Sequence, residues 1–267
     1  MKKYLSFFRL RFTMGLQYRV AALAGMSTQL VWGLMGILAF KAFYDAAPEN
    51  FPMTFEATAS YIWLQQAFLA LFAAWALESE IFDNIMNGNI AYELCRPINI
   101  YNMWFSRSVA NRLSKAVLRC FPIIIIAVFI PKPYGISAPA SLMHFVLFLV
   151  ATALGLGVIV AFCMLIYALT FFTVSPNGLR ILFVSTVEFF TGAIIPLPFF
   201  PEKLQAVLEL LPFAAMQNVP LRIYSGSMST HDMTKALVLQ VFWLITLIFL
   251  GKKLCSTAEK RVTVQGG

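Results

Sequence analysis

The 267-residue chain has very little charge: 12% of its residues are Asp, Glu, Lys or Arg, against about 25% in a typical soluble domain. Its apolar share is 60%, and the apolar residues fall in long blocks rather than at the 3.6-residue period of a soluble amphipathic helix. So few polar residues cannot cover the surface of a soluble globule. The composition therefore predicts an integral membrane protein with small aqueous segments.

The residues that build common catalytic and metal sites are also scarce. His144 and His231 are the only histidines, and neither has a second ligand at metal-binding spacing. The four cysteines form no C-x-x-C pair, and no serine lies in a G-x-S-x-G motif. We therefore predict no catalytic residue, no metal site and no cofactor in this chain.

A phosphate-binding loop of the form G-x-x-x-x-G-K-[ST] is missing too. If ATP drives this protein, ATP and magnesium must bind to another polypeptide. Gly155 and Gly157 do not form a dinucleotide site, because the third glycine and the preceding strand are absent. Together with Ala151 and Ala153 they give a small-xxx-small spacing, which predicts close helix packing.

Six apolar stretches approach the length of about 20 residues that a helix needs to cross a bilayer. The predicted fold class is therefore an all-α membrane protein whose residues 1–267 form one domain. The third stretch is the weakest, because its clean apolar part is short and the turns before it carry Arg107 and Arg112. The predicted spans are residues 20–44, 57–77, 106–131, 142–172, 179–196 and 235–252.

Lys and Arg are distributed unevenly between the two sides of this bundle. With the N-terminus inside, fifteen of the twenty lie on the inner side, Arg180 and Arg261 among them. Because Lys and Arg accumulate in cytoplasmic loops, both termini are predicted to be cytoplasmic. The net charge of +8 thus reflects topology, and no nucleic-acid partner is predicted.

Two further segments are predicted to lie at the membrane surfaces. Residues 1–19 should form an interfacial helix with an apolar stripe beside Arg9. Residues 197–234, on the external side, are rich in proline, which bars a continuous spanning helix and predicts short re-entrant or surface helices. Pro201 fits the first position of an amphipathic helix there. The apolar positions of that helix are Leu204, Val207, Leu208 and Leu211.

The cytoplasmic stretch 78–102 is the most informative part of the chain. Acids from Glu78 onward favour a helix start, Asn87 and Gly88 supply a turn, and Pro97 stops a second short element. Two interpretations remain open, a solvated loop and a helix that docks into a groove on a cytoplasmic partner. A solvated loop has no use for apolar residues, so four of them favour docking. They are Ile81, Phe82, Ile85 and Ile90.

Glu188 is the only acid inside a clean predicted span, and a charge near the bilayer centre costs about 2.5 kcal/mol or more. It could lie in a substrate path or against a partner helix, or it could be satisfied by a neighbouring span. Gln65 and Gln66 are candidate partners for it.

The basic residues Arg112, Lys115 and Arg119 share one face of the third span, because they are spaced at i, i+3 and i+7. They could anchor the helix against anionic lipid headgroups. Alternatively, they could line an electropositive inner vestibule that gathers anionic or amphiphilic cargo.

The order of these parts resembles the permeases of type-2 ABC exporters: a basic interfacial helix, two spans, a cytoplasmic loop, four more spans and a proline-rich external excursion before the last one. The loop carries a G-x-I-x-x-x-L-x-R-P-like stretch similar to that of a bacterial subgroup of largely unassigned substrate. The matching residues are Gly88, Ile90, Leu94, Arg96 and Pro97.

The resemblance implies that residues 78–102 form the coupling helix, which transmits closure of a nucleotide-bound ATPase dimer to the permease. It also implies two ATP-binding subunits, a second permease chain that is related or identical, and a substrate path at the permease dimer interface. The location would be the bacterial cytoplasmic membrane, among its lipids. The residues to which it carries the coupling role are Glu80, Asp83, Asn84, Asn87, Gly88, Glu93 and Arg96.

Two alternatives from other classes stay open on the sequence. A secondary transporter or channel would need no ATPase, but it favours midplane charge pairs and an inverted repeat, and neither is evident. A non-transporting membrane assembly or enzyme subunit would also fit the composition. The apolar, aromatic-rich spans suit lipids, peptides and hydrophobic drugs alike, so the sequence does not select a cargo.

Overall fold

A computed structural model of the chain describes residues 2–173 and 175–260, and every regular element in that part is helical. Arg261, which contributes to the charge count, lies outside the described residues. The helices are α1 (Lys2–Gly15), α2 (Arg19–Ala46), α3 (Phe55–Ala67), α4 (Leu69–Phe72), α5 (Ser79–Met86), α6 (Ile90–Leu94), α7 (Ile100–Phe129), α8 (Leu142–Thr170), α9 (Pro176–Phe190), α10 (Glu202–Leu210), α11 (Pro212–Met216), α12 (Asn218–Tyr224) and α13 (Thr230–Glu259). Single 3₁₀ turns occupy Pro48–Asn50 and Leu197–Phe199.

Within the described residues, three helices are both long and apolar enough to cross a membrane, namely α2, α8 and α13. They agree with the predicted all-α, multi-pass membrane protein. α7 is as long, with 30 residues, but its first half is basic. α9 has 15 residues and rises about 22 Å, less than the hydrocarbon core of about 30 Å.

The helices depart from the predicted spans at their ends. In the second predicted span, α3 ends at Ala67, α4 ends at Phe72, and residues 73–77 are not helical. α9, which corresponds to the fifth predicted span, begins earlier than predicted, because Ser175 caps it by accepting a hydrogen bond from the Asn177 backbone N–H. Serine caps of this kind are local features that hydropathy does not register.

α8 is the central helix of the bundle, with α7, α12 and α13 packed around it. Its small residues permit this packing. A Cβ on Gly155 would lie 2.2 Å from the Met216 carbonyl oxygen, and one on Gly157 would lie 2.8 Å from the Leu244 side chain. The structure thus confirms the close packing predicted from the small-xxx-small spacing.

The segment after α9 folds into short helices, two of which enter the bundle. α11 and α12 are buried along most of their length against α8 and α13. Gln240 of α13 links α11 to α8 by donating hydrogen bonds to the Ala215 carbonyl on α11 at 2.8 Å and to the Ala151 carbonyl on α8 at 3.1 Å. Pro201 lies at the N-cap of α10, one position before the predicted one.

The apolar stripe predicted for α10 is covered only in part. Leu208 is its one buried residue, whereas Leu204 and Val207 are exposed. An outer-interface helix can leave such residues in contact with lipid.

Candidate coupling site

The segment between α4 and α7 folds as two short helices, α5 and α6, joined at Gly88. Gly88 has φ of 75°, a conformation that residues with a Cβ rarely adopt. A Cβ there would meet nothing within 4 Å, so the backbone conformation alone selects glycine. The turn places α6 beside α5 as a compact knob, called here the coupling segment (residues 78–97).

The apolar side of the coupling segment faces its own protein. Ile81, Phe82 and Ile90 are buried in the core cluster that includes α7 and α8. The Phe82 ring lies 5.0 Å from that of Tyr167 on α8, and the central carbon of the Arg180 guanidinium lies 5.0 Å from the Phe82 ring centre. The prediction that these apolar residues dock onto a partner is therefore wrong. A stripe in the sequence shows that a face is buried, but not which surface buries it.

A cluster of charges holds the start of α5 against α7. Arg107, only 5% exposed, makes ion pairs with both Glu78 and Glu80. Ser108 donates a hydrogen bond to Glu78 at 3.0 Å, and Arg11 of α1 comes within 3.9 Å of Glu80. Hydrogen bonding to Arg107 lowers the pKa of Glu80, so the pair persists at neutral pH and weakens only as pH falls through the acidic range.

Glu93 connects both short helices to α7. Its carboxylate accepts a hydrogen bond from the Trp104 indole N–H at 2.8 Å and another from the Asn84 amide at 3.2 Å. Trp104 is 1% exposed, and its N–H would be left without an acceptor if Glu93 were removed. Glu93 is therefore a structural link inside the coupling segment.

The α1 helix supports the same region from the other side. Lys3 donates a hydrogen bond to the Pro97 carbonyl at 3.0 Å, and the Tyr4 hydroxyl accepts one from the Asn99 backbone N–H at 3.2 Å. Ser106 of α7 donates to the Tyr4 carbonyl at 3.2 Å. The N-terminal helix is thus fastened to the end of the coupling segment and to α7.

Arg112 caps the C-terminal end of α4, where the second predicted span is interrupted. It is 3% exposed, and its guanidinium donates hydrogen bonds to the carbonyls of Leu71 at 2.8 Å, Ala73 at 2.9 Å and Ala76 at 3.3 Å. A cation is favourable at a helix C-terminus, where backbone carbonyls lack partners. Arg112 therefore does not anchor α7 to lipid headgroups. Neither of the two functions predicted for it together with Lys115 and Arg119 fits this buried cap.

The residues predicted for coupling divide into two groups. Asp83, Asn87, Gly88 and Arg96 are exposed on the outer side of the knob. Glu80, Asn84 and Glu93 take part in the bonds that hold the knob to the bundle. The exposed group also includes residues that the sequence did not single out. They are Met86, Asn89, Tyr92 and Cys95.

Sequence reasoning missed the part that five residues take in holding the knob and the turn before it, namely Glu78, Trp104, Arg107, Arg112 and Tyr167. One signal could have found two of them. An arginine inside a predicted span needs a partner, and Glu78 begins the nearest acidic run on the same side of the membrane. The contribution of Tyr167, whose hydroxyl accepts a hydrogen bond from the Glu78 backbone N–H at 2.8 Å, has no comparable signal.

The residues predicted near the middle of the membrane are not brought together. Gln65 donates a hydrogen bond to the Ala193 carbonyl, just beyond the end of α9. Within residues 2–173 and 175–260, no hydrogen bond joins Gln65 or Gln66 to Glu188. Glu188 is partly exposed, on the side of α9 that also carries Ser185.

Comparison with known proteins places these features in a family. The family model described as ABC-2 family transporter protein matches residues 30–266, which includes the whole coupling segment and every helix from α3 onward. No individual curated protein matches the chain. Permeases of this kind are the membrane components of transporters and normally work with ATP-binding subunits. The chain therefore belongs to the ABC-2 transporter family, as a membrane permease of an ABC transporter.

Proposed function

We propose that this permease is the membrane half of an ATP-driven exporter in the bacterial cytoplasmic membrane. Two ATP-binding subunits, which hold ATP and magnesium, would supply the energy, and the coupling segment would receive their motion. One observation carries the proposal: the coupling segment has a buried, bonded base and a polar, exposed tip. Such a segment could contact a soluble ATP-binding subunit with its exposed tip and pass a displacement to the helix bundle through its buried base.

The base of the coupling segment can transmit force. Phe82 packs on α8, while Glu93 and Glu78 bond to α7. Packed cores and charge networks have discrete arrangements and do not deform continuously. A displacement of the tip would therefore move α7 and α8 as units, and these are the helices at the centre of the bundle.

The tip offers a surface of interface character. Tyr92 is 75% exposed and Met86 is also exposed, and Tyr and Met are enriched where proteins meet. Asp83, Asn87 and Arg96 are exposed polar residues of the same segment. Exposed Tyr and Met among polar residues suit a protein–protein contact, and here the partner would be an ATP-binding subunit.

Six spans account for the helices and the charges together. α2, α3 with α4, α7, α8, α9 and α13 would cross the membrane, and α1 would lie on its inner surface. An even number of spans puts both termini on the same side, and the distribution of Lys and Arg favours the cytoplasm for that side. The short α9 would be completed at the outer side by the turn that follows it.

A second permease chain, identical or related, is proposed against α9. In the described residues α9 buries only Val187, and it exposes Ile181, Leu182 and Phe189 along with part of Glu188. A carboxyl group that faces lipid costs about 2.5 kcal/mol or more, and a partner chain or an aqueous path would remove that cost. The substrate path is accordingly placed at this interface, closed outside by residues 197–234.

The orientation can be tested with a cysteine that the chain already has. Cys95 is exposed in the coupling segment, whereas Cys120, Cys163 and Cys255 are buried. A membrane-impermeant maleimide should therefore label intact permease in inside-out vesicles and should not label it in right-side-out vesicles. Addition of the ATP-binding subunit should slow the labelling, because the tip would then be covered.

The Cys95→Ser variant gives the background for this measurement, and Cys95→Ser/Lys203→Cys on the exposed α10 should show the opposite sidedness. Labelling of Cys95 from outside the cell would overturn the proposed topology. A labelling rate unchanged by a stoichiometric ATP-binding subunit would overturn the docking site.

The hinge at Gly88 and the link at Glu93 should be needed for coupling. Gly88→Val forces a β-branched residue into the left-handed region, at a cost of about 1–2 kcal/mol. Glu93→Ala removes the acceptor of the Trp104 indole N–H and so breaks the link to α7. We expect both variants to insert into the membrane. The ATP-binding subunits should still hydrolyse ATP, but the permease should no longer move in response. Spin labels at Lys203→Cys in the two permease chains, in a Cys95→Ser background, would report that movement as an ATP-dependent change in distance.

Gly178→Val is the matched control, because a Cβ at Gly178 also meets nothing within 4 Å but Gly178 is not in the left-handed region. It should retain the ATP-dependent change. An unaltered distance change in both Gly88→Val and Glu93→Ala would count against the coupling role of the segment.

A further inference from the structure

A cavity of about 400 Å³ lies where α1, α2 and α7 meet. Two glycines bring the three helices together. A Cβ on Gly15 would lie 2.1 Å from the Ser114 hydroxyl oxygen, and one on Gly25 would lie 2.6 Å from the central carbon of the Arg119 guanidinium. The cavity is therefore built from close helix contacts and is not a gap between loosely packed elements.

The wall of this cavity carries three cations, and in the described residues only Arg11 among them has an acidic partner at ion-pair distance, Glu80 at 3.9 Å. Arg11, Lys115 and Arg119 line it, and none of its lining residues in the described part of the chain is acidic. Arg119 donates one long hydrogen bond of 3.4 Å to the Ala21 carbonyl, and its Nε has no partner among the described residues. Three cations around one small volume repel each other, and a bound anion would relieve that repulsion.

The rest of the wall shows what kind of anion would fit. Asn111, Ser114 and Tyr18 provide neutral polar groups, while Met14 and Leu118 provide apolar surface. The Ser114 hydroxyl already donates to the Asn111 carbonyl, at 3.0 Å, and can still accept. A ligand with a phosphate head and an apolar tail would use both kinds of surface, because phosphate suits Arg and Lys and an acyl chain suits the apolar side.

We propose that this cavity binds the headgroup of an anionic phospholipid from the inner leaflet. The proposal rests on the proposed orientation, which puts α1 and the basic half of α7 at the cytoplasmic surface. The bound phosphate would bridge α1 and α7. Since Arg11 reaches both this cavity and Glu80, occupancy would also stiffen the support of the coupling segment.

The test is native mass spectrometry of the full-length chain in detergent, titrated separately with phosphatidylglycerol and phosphatidylcholine. We expect wild type to retain phosphatidylglycerol in preference. Each Lys or Arg near an anionic lipid surface contributes about 1 kcal/mol, which is about fivefold in affinity. Lys115→Gln should therefore weaken phosphatidylglycerol binding about fivefold, and Lys115→Gln/Arg119→Gln about 25-fold. Lys115 is exposed, so the single variant keeps the test valid if the double variant fails to fold.

Lys253→Gln is the matched control, because it makes the same charge change at an exposed residue in the last helix. It should bind phosphatidylglycerol like wild type. Equal retention by wild type and Lys115→Gln, or no preference over phosphatidylcholine, would overturn the site. Displacement of the lipid by equimolar inorganic phosphate would show a soluble anion site and overturn the lipid assignment. None of these outcomes depends on an ATP-binding subunit, so failure here is distinct from failure of the coupling proposal.

Discussion

Arg112→Met should destabilise the permease by about 3 kcal/mol. Arg112 supplies hydrogen bonds to three carbonyls at and just after the end of α4, and methionine is a shorter, unbranched apolar side chain with no donor. Each buried polar group that loses its partner costs about 1–3 kcal/mol, and release from the cost of burying the cation offsets part of the sum. Unfolding of the detergent-solubilised chain would measure the loss.

Two further variants separate the cap from the charge. Arg112→Lys keeps the cation but reaches the spread of carbonyls poorly, so it should recover only part of the stability. Arg9→Met removes an exposed arginine from α1 and should change the stability by less than about 0.5 kcal/mol. A stability of Arg112→Met equal to that of Arg9→Met would show that the carbonyls of residues 71–76 do not depend on this side chain.

Arg107→Met should cost about 3–5 kcal/mol of stability, because it leaves the Glu78 carboxylate, whose side chain is 13% exposed, without its cation. The same variant should release the start of α5 from α7 and reduce ATP-driven movement of the permease. Thermal unfolding in detergent and the ATP-dependent distance between spin labels at residue 203 measure these two effects separately.

The double variant Arg107→Met/Glu78→Gln provides the control for this second result. Neutralising the orphaned carboxylate should restore a large part of the stability, since removing both members of a buried pair costs less than removing one. ATP-driven movement should remain low, because the ionic link between the coupling segment and α7 would still be absent. Failure of the second substitution to restore any stability would mean that Arg107 acts through contacts other than Glu78.

Arg107 and Arg112 both stabilise the turn between α4 and the coupling segment. α4 ends at Phe72, and the chain must then turn into the coupling segment without leaving the last carbonyls of α4 unpaired. Arg112 satisfies the carbonyls at that turn, and Arg107 fixes the acidic start of α5 immediately after it. Both arginines belong to α7, so this one helix holds both the turn and the start of the coupling segment.

The sequence by itself determined the class of this protein. A chain with 12% charged residues in long apolar blocks cannot form a soluble surface, and fifteen of its twenty basic residues fall on one side of the predicted bundle. The helix–turn–helix form of the coupling segment also followed from local chemistry, because Gly88 and the acidic start of α5 act within a few residues. Properties of this kind depend on composition and on neighbours in the chain.

Only the tertiary structure decided which surface of the coupling segment is buried and which side chains hold it. Ile81, Phe82 and Ile90 look like an interface in the sequence, yet they pack on α7 and α8 of the same chain. Arg112 fits a membrane anchor in the sequence, yet it caps a broken helix, and Arg107 appears there only as a charge before a short apolar stretch, yet it binds two carboxylates. The physical reason is that burial and ion pairing join residues separated by tens of positions, and their partners are set by how the helices pack.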